Sequence, residues 1–270
     1  MDEVTNDLAV GPRKQEYSVD LAAAVNDRAV LAACLERSPD LIAGDARLRI
    51  YEGFGTASEA YNAALSDTDA DCLVLVHQDV YLPQGFLARL RRWISQLDSI
   101  DPDWAVAGVI GVDGLGAVVG ETWSSGLECL IGRRVATPSA VVALDEMLLV
   151  VRPAVAPRFD PALPSFHLYG TDIVQSAKVS GRSSYVIDLP VIHHSRPTVD
   201  LRGSYRRAYQ FMQRKWRRQL PIPTLVCPIH RSSVPFWVRQ ARMQFKARGS
   251  TARREPQGDP AQIARRLGMV

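Results

Sequence analysis

Cys72-Leu73-Val74-Leu75-Val76, followed directly by His77-Gln78-Asp79, is the stretch on which the reading of this chain turns. Five apolar residues bounded by polar ones read as a strand buried on both faces, as in the centre of a parallel sheet. The run stops at the three polar residues. Pro83 then opens a helix in which Phe86, Leu87, Leu90, Trp93, Ile94 and Leu97 share one face, while Arg89, Arg91 and Arg92 fall largely elsewhere. Strand, polar turn and helix in this order make an α/β unit, whose site lies in the loops at the carboxyl ends of the strands.

Upstream, residues 17–26 (YSVDLAAAVN) read as an opening strand. Residues 27–37 follow as a helix through Val30, Leu31, Cys34 and Leu35. Between 38 and 55, Pro39, Gly44, Gly53 and Gly55 surround one short alternating run, 48–51, which fits one short strand between loops. Thr56 and Glu59 form a T-x-x-E capping box that starts a helix through Ala60, Tyr61, Ala64 and Leu65. Downstream, 105–110 is a strand, 111–120 a Gly-rich turn or hairpin, and 141–151 (VVALDEMLLVV) one or two buried strands interrupted by Asp145-Glu146. Thr171 or Asp172 caps a short helix through Ile173, Val174 and Ala177 that stops at Gly181. Extended structure returns at 184–188 and 191–192, ahead of His193-His194.

With 270 residues, 47% of them apolar and 23% charged, the chain can bury one sizeable core and lies far from the composition of disordered segments. No apolar run reaches the length of a bilayer span, and residues 1–10 lack a signal-peptide pattern, so a cytoplasmic protein is expected. Cys34, Cys72, Cys129 and Cys227 are too dispersed for CxxC chemistry or a disulfide framework and read as buried thiols.

The formal charge of +3 hides an asymmetry. Residues 200–254 hold fourteen lysines and arginines against one acid, a balance of +13, which leaves −10 for the rest. Leu201, Tyr205, Ala208, Tyr209, Met212 and Trp216 mark one face of a helix whose other face carries Arg202, Arg206, Arg207, Arg214 and Lys215. Pro221 and Pro223 end it, a basic helix follows around 236–245, and 249–260 reads as a flexible linker. Such a segment calls for an anionic partner, a pyrophosphate or a membrane surface, or is simply a solvated tail; no zinc, RNP or helix-turn-helix pattern accompanies it, so nucleic acid is not expected.

A carboxylate at the end of a buried strand can hold Mg²⁺ or Mn²⁺, and Asp79 is so placed; it can equally cap the following turn. Asn62-Ala-Ala-Leu, then CLVLVHQDVYLPQGFL, RFDPALPSFHLYGTDIVQSAKVSG, YVIDLPVIHHS and KWRRQLPI together resemble the family 2-like glycosyltransferases. The last three of these segments look especially like the glycosyltransferase-like subgroup typified by the streptomycin-biosynthesis protein. The resemblance covers residues 26–222. It implies a GT-A-type nucleotide-diphospho-sugar transferase fold, a mixed and mostly parallel sheet flanked by helices, with a flexible N-terminus (1–16), a catalytic domain (17–222) and a basic helical extension (223–270).

The resemblance also implies roles. His77-Gln78-Asp79 stands where the family has D-x-D, so Asp79 is the expected metal ligand and His77 replaces the other aspartate, which leaves the metal open among Mn²⁺, Mg²⁺ and Zn²⁺. Thr171-Asp172 matches the family's E-D pair, which makes Asp172 the expected general base of an inverting transfer, or otherwise the cap of its helix; His167, Tyr169 and Thr171 lie on the acceptor side. His193 and His194 align with a late histidine that serves as a further metal contact, and one of the two turns into the site. Asn26, Asp27 and Asn62 fall in the donor-binding region, though Asn26-Asp27 also reads as a helix N-cap pair. The family's second strand ending in a carboxylate, before Asn62, is not evident in this sequence. The implied partners are a nucleotide-diphosphate sugar, a hydroxyl acceptor and, through the basic segment, an anionic membrane at its inner face. Two rivals stand beside this reading: a nucleotidyltransferase, which a glycine-free AVNDRAVLAA argues against, and a non-catalytic sugar-nucleotide-binding relative.

Overall fold

The computed structural model describes residues 17–195, 200–248 and 256–269; the expected flexible N-terminus, 1–16, and most of the expected linker lie outside them. In chain order the strands are β1 (Val19–Val25), β2 (Arg47–Glu52), β3 (Cys72–Val76), β4 (Val80–Tyr81), β5 (Trp104–Gly108), β6 (Ile110–Val112), β7 (Val118–Ser124), β8 (Cys129–Arg133), β9 (Ser139–Ala140), β10 (Ala143–Leu144), β11 (Leu148–Val151), β12 (Ser183–Val186) and β13 (Ile192–His193). The helices are α1 (Arg28–Ala33), α2 (Pro39–Ile42), α3 (Ala57–Ser66), α4 (Phe86–Ile100), α5 (Tyr169–Val179), α6 (Gly203–Lys215), α7 (Val234–Arg248) and α8 (Pro260–Arg266).

Seven strands form the main sheet in the order β2-β1-β3-β11-β5-β12-β9. β2, β1, β3, β5 and β12 run the same way, and β11 lies antiparallel between β3 and β5. The architecture is the expected mixed, mostly parallel sheet flanked by helices. All five residues of β3 are buried, and their alternation explains why. Leu73 and Leu75 enter a core with Tyr61, Ile173 and Tyr209 from α3, α5 and α6, whereas Val74 and Val76 enter a second core with Leu31, Phe86 and Leu90 from α1 and α4.

A second sheet, β10-β6-β7-β13-β4 with β8 on β7, sits beside the first. It departs from the expected alternation of strands and helices: no helix lies between Asp101 and Leu168. Hairpins fill that span instead, β6 against β7 and β7 against β8. Gly120 makes them possible, since it has φ +86° and a Cβ there would lie 2.1 Å from the Val109 carbonyl oxygen.

Four other expectations are corrected. The helix expected over 27–37 ends at Ala33 and continues only as a 3₁₀ turn, Leu35–Arg37. The short strand expected at 48–51 is a longer parallel strand, β2, and its last residue, Glu52, supplies the strand-ending carboxylate that the sequence did not make evident. Its sequence, RLRIYE, alternates charge and apolar groups because it is the sheet edge, so it lacks the continuous apolar run of β3. Cys129 is exposed on β8, unlike the other three cysteines. Finally, the end of the chain is packed. Ile263, Ala264 and Met269 meet Cys34, Tyr81 and Ile192, and Arg37 pairs with Asp259, the N-cap of α8.

The α6 face read from the sequence is buried: Leu201, Tyr205, Ala208, Tyr209, Met212 and Trp216 are all 6% exposed or less. α7 then packs Phe236 on Tyr209, with ring centroids 4.4 Å apart. Among the described residues no helix is long and apolar enough to cross a membrane.

Candidate metal centre and the helix that faces it

β3 ends by delivering His77, Gln78 and Asp79 to the carboxyl edge of the sheet. β13 pairs antiparallel with β4, bringing His193 opposite Val80 and beside Asp79. His193 Nε2 is 3.5 Å and His77 Nδ1 4.0 Å from Asp79 Oδ1. One ligand atom from each of the three residues falls within 4.8 Å of the others. His194, the residue after β13, meets Ser125 Oγ through Nδ1 at 3.0 Å and lies outside this cluster.

The charges suit a cation. Burial pushes the Asp79 carboxyl up, but His193 and His77 outweigh it and hold the group far below the usual carboxylate range. Burial drives His193 down, but Asp79, through its charge and its hydrogen bond, together with Asp145 drives it up overall. Burial, with His193 beside it, lowers His77 despite Asp79. An ionised carboxylate between two imidazoles is the outcome.

Tyr169 sets the orientation of His77. The Tyr169 hydroxyl donates to the Glu146 carbonyl oxygen at 2.9 Å and lies 2.9 Å from His77 Nε2. Having used its one proton, it must accept from Nε2–H, which leaves the Nδ1 lone pair facing Asp79. Tyr169, expected on the acceptor side, is thus a buried support for the cation site, 1% exposed.

The expected cap at Thr171 or Asp172 is corrected. α5 begins at Tyr169, with Leu168 as N-cap at φ +64° and no capping side chain of its own. The Glu146 carboxylate, brought in by the turn between β10 and β11, takes backbone N–H bonds from Leu168 and Gly170. Gly170 permits this approach, because a Cβ there would lie 2.7 Å from the Leu144 carbonyl oxygen. Burial and neighbouring Asp145 push the Glu146 carboxyl up to about 8 against those bonds. The signal missed in the sequence was two adjacent acids inside VVALDEMLLVV.

Asp172 lies within the first turn of α5 and is 1% exposed. Its oxygens are both occupied, one by Lys215 Nζ at 2.8 Å and the other by Trp216 Nε1 at 2.7 Å. Lys215 also pairs with Asp160 at 2.8 Å. Burial raises the Asp172 carboxyl although Lys215 and Trp216 oppose it. Lys215, expected on the basic face turned toward the acceptor opening or an anionic surface, and Trp216, expected in the packed face, are both partners of this aspartate. Thr171 is buried, and His167 is half-buried beside the Tyr205 ring, its imidazole pushed down by burial and by His77.

On the other side, Asp27 caps α1, accepting from Ala29 and Val30 N–H. Asn26 Oδ1 accepts from Gln78 Nε2 at 2.7 Å, and Gln78 Oε1 accepts from the N–H groups of Asn26 and Asp27. The carboxyl ends of β1 and β3 are therefore stitched through the middle residue of His-Gln-Asp. Glu52, at the end of β2, pairs with Arg28. Asn62, expected in the donor-binding region, exchanges both hydrogen bonds of its amide with the Phe159 backbone, at 2.8 and 2.9 Å.

Fold and site define a mixed α/β protein with a His-Asp-His group at the carboxyl end of a buried central strand. No family model matches the chain. A protein described as ATP synthase subunits region ORF 6, from Fuscovulum blasticum, is 30% identical over 169 residues, covering 57% of this chain and 63% of that protein. The chain thus spans under two thirds of that relative's length. Among solved structures, GalNAc-T7 with UDP, GalNAc and Mn²⁺ is similar at TM-score 0.46 and 11% identity, over 73% of this chain and 48% of that one. Mannosyltransferase PcManGT from Pyrobaculum calidifontis, in complex with GDP-Man and Mn²⁺, is similar at 0.48 and 10%, over 94% and 80% of the two chains. Glucosyl-3-phosphoglycerate synthase from Mycobacterium tuberculosis, with Mn²⁺, uridine-diphosphate and phosphoglyceric acid, is similar at 0.41 and 13%, over 73% and 78%. Likenesses this distant assign no activity.

Proposed function

We propose that the chain is a metal-dependent glycosyltransferase on a GT-A-type fold, moving a sugar from a nucleotide-diphosphate sugar to a hydroxyl acceptor with inversion. The observation that carries the reading is the convergence of His77, Asp79 and His193 at the end of β3. Two imidazoles and an ionised carboxylate, with the His77 tautomer fixed by Tyr169, fit a divalent cation, and nitrogen ligands favour Mn²⁺ over Mg²⁺. When bound, such an ion neutralises the charge that develops on a departing diphosphate. Asp27, Gln78 and Glu52 line the adjoining strand ends, where the rest of a nucleotide can be held.

In this proposal Asp172 takes the acceptor proton. Its raised carboxyl pKa strengthens it as a base, and Lys215 or Trp216 must swing aside to admit the hydroxyl. The sealing of Asp172 favours a second reading, a relative that binds sugar nucleotides without transferring them. The basic C-terminal segment meets an anionic membrane surface. The test is a thermal-shift panel of nucleotide-diphosphate sugars, each with Mn²⁺ or Mg²⁺. A selective, metal-dependent rise in Tm is expected, and no rise with any pair removes the proposal.

A further inference from the structure

α7 has two apolar faces. Phe236, Gln240 and Met243 turn inward, Phe236 at 1% exposure. Val234, Trp237, Val238 and Phe245 turn outward, exposed by 64, 43, 44 and 81%, with Ala241 exposed among them. At 3.6 residues per turn these five fall within an arc of about 100° on the far side from Phe236 and Met243. A contiguous outward stripe with two aromatic residues requires an occupant.

The surroundings of the stripe indicate which one. Arg242 is exposed along its side, and the guanidinium of Arg206, an exposed α6 residue, lies over the Trp237 ring at 5.7 Å. No acid occurs from 201 to 254. A cavity of about 900 Å³ opens between Val238, Arg242 and Phe245 of α7 and the Pro228-to-His230 segment, so apolar walls and guanidinium groups share one groove. Aromatic residues interleaved with arginines, and no anion, complement headgroup phosphates above acyl chains.

We propose that α7 lies in the interface of an anionic lipid bilayer, with Trp237 and Phe245 below the headgroups and Arg206 and Arg242 at phosphate level. The idea rests on the anionic-surface part of the function proposed above and is independent of sugar transfer. The test is flotation of the full-length protein with phosphatidylcholine vesicles, with and without phosphatidylglycerol, at low and high salt. Trp237→Ser/Phe245→Ser is compared with Arg206→Gln/Arg242→Gln. The apolar pair should weaken binding by about tenfold or more at both salt levels, since insertion removes aromatic surface from water. The arginine pair should weaken it mainly at low salt, where charge is least screened. Both variants should keep the parent Tm, because all four side chains are exposed. Brominated lipid should quench the parent more than Trp237→Phe. If the apolar pair binds like the parent, insertion is overturned while surface attraction stands. If the parent ignores anionic vesicles at low salt, both fail, and the metal-dependent donor panel is unaffected. Concentration-dependent self-association in place of vesicle binding would give the stripe to a second copy and also overturn the proposal.

Discussion

Asp172→Asn separates a base from a brace. Asparagine has one oxygen: if it accepts from Trp216 Nε1, an amide N–H₂ faces Lys215 Nζ, now 2.8 Å from the carboxylate, and if it turns to Lys215, it is uncharged and an N–H₂ faces Trp216. A charge-assisted bond contributes about 1.5–3 kcal/mol. Part of this is offset, because a carboxylate that is 1% exposed no longer has to be held charged away from water, and Lys215 retains Asp160. The net loss is about 1–2 kcal/mol, or roughly 3–6 °C in Tm for a chain of this size. Lys215→Met should be worse, since it leaves Asp160 and Asp172 facing each other without their shared cation. Thermal unfolding followed by circular dichroism gives the stability order parent, Asp172→Asn, Lys215→Met. With a donor from the ligand panel, release of nucleoside diphosphate gives turnover. A base predicts turnover at least a hundredfold lower for Asp172→Asn at a temperature where the variant is folded. Parent-like turnover with a lowered Tm makes Asp172 a brace. An unchanged Tm refutes the energetic reasoning, whatever the turnover.

Asp79→Asn should abolish metal-dependent donor binding in calorimetry while the fold survives, because the residue contributes charge at the sheet edge and little packing. Tyr169→Phe should keep the core but free the His77 tautomer, weakening Mn²⁺ binding by about 10- to 100-fold, as loss of an outer hydrogen bond to a ligand histidine does. Glu146, held at about 8 in the folded chain, binds its proton more tightly there than when unfolded. Its contribution to stability is therefore complete below its unfolded pKa and is lost as pH rises toward 8, so Tm should fall over that window and Glu146→Gln should flatten the fall. Gly170→Ala should cost roughly 2–3 kcal/mol by forcing the start of α5 off the Leu144 carbonyl, read as a drop in Tm.

What could be read in the sequence depended on how many faces an element buries. β3 and α4 carry their burial in unmistakable patterns, five apolar residues in a row and a one-face repeat, and both were placed from the sequence. The Thr56-Glu59 box was equally plain, since its two bonds are local. β2 was underread because an edge strand alternates charge and needs no apolar run. The turn or hairpin read at 111–120 is the β6–β7 hairpin, but the run of β7 beyond it and its partner β8 were missed because their pairing depends on Gly120, whose positive φ leaves no periodic trace. α8 was hidden behind a Pro- and Gly-containing stretch, although Asp259-Pro260 is itself a helix start. At the site, Asp79 and His77 were visible as the end of a buried strand. His193 could be told from His194 only once β13 was paired with β4, since strand alternation shows that one of them faces inward but not which.

The two halves of the site are held by different logic, and that difference bears on mechanism. His77, Asp79 and His193 sit on strand ends whose backbones are fixed by the sheets, and Tyr169 locks one imidazole from below. Such a group is preorganised, with little rearrangement needed to receive a cation. Asp172, by contrast, is held by Lys215 and Trp216 at the last turn of α6, where Lys215 bridges to Asp160 outside the helix pair. Moving that turn releases the carboxylate without disturbing the cation ligands, because none of the three belongs to α6. Tyr169 and Asp172 share the first turn of α5, so any shift of this turn reaches both His77 and Asp172. The segment leading out of α6 continues into α7, whose inner face packs Phe236 on Tyr209. A surface engaged by the outer face of α7 therefore has a packed route to the helix that covers Asp172, whereas the cation group stays anchored in the sheets.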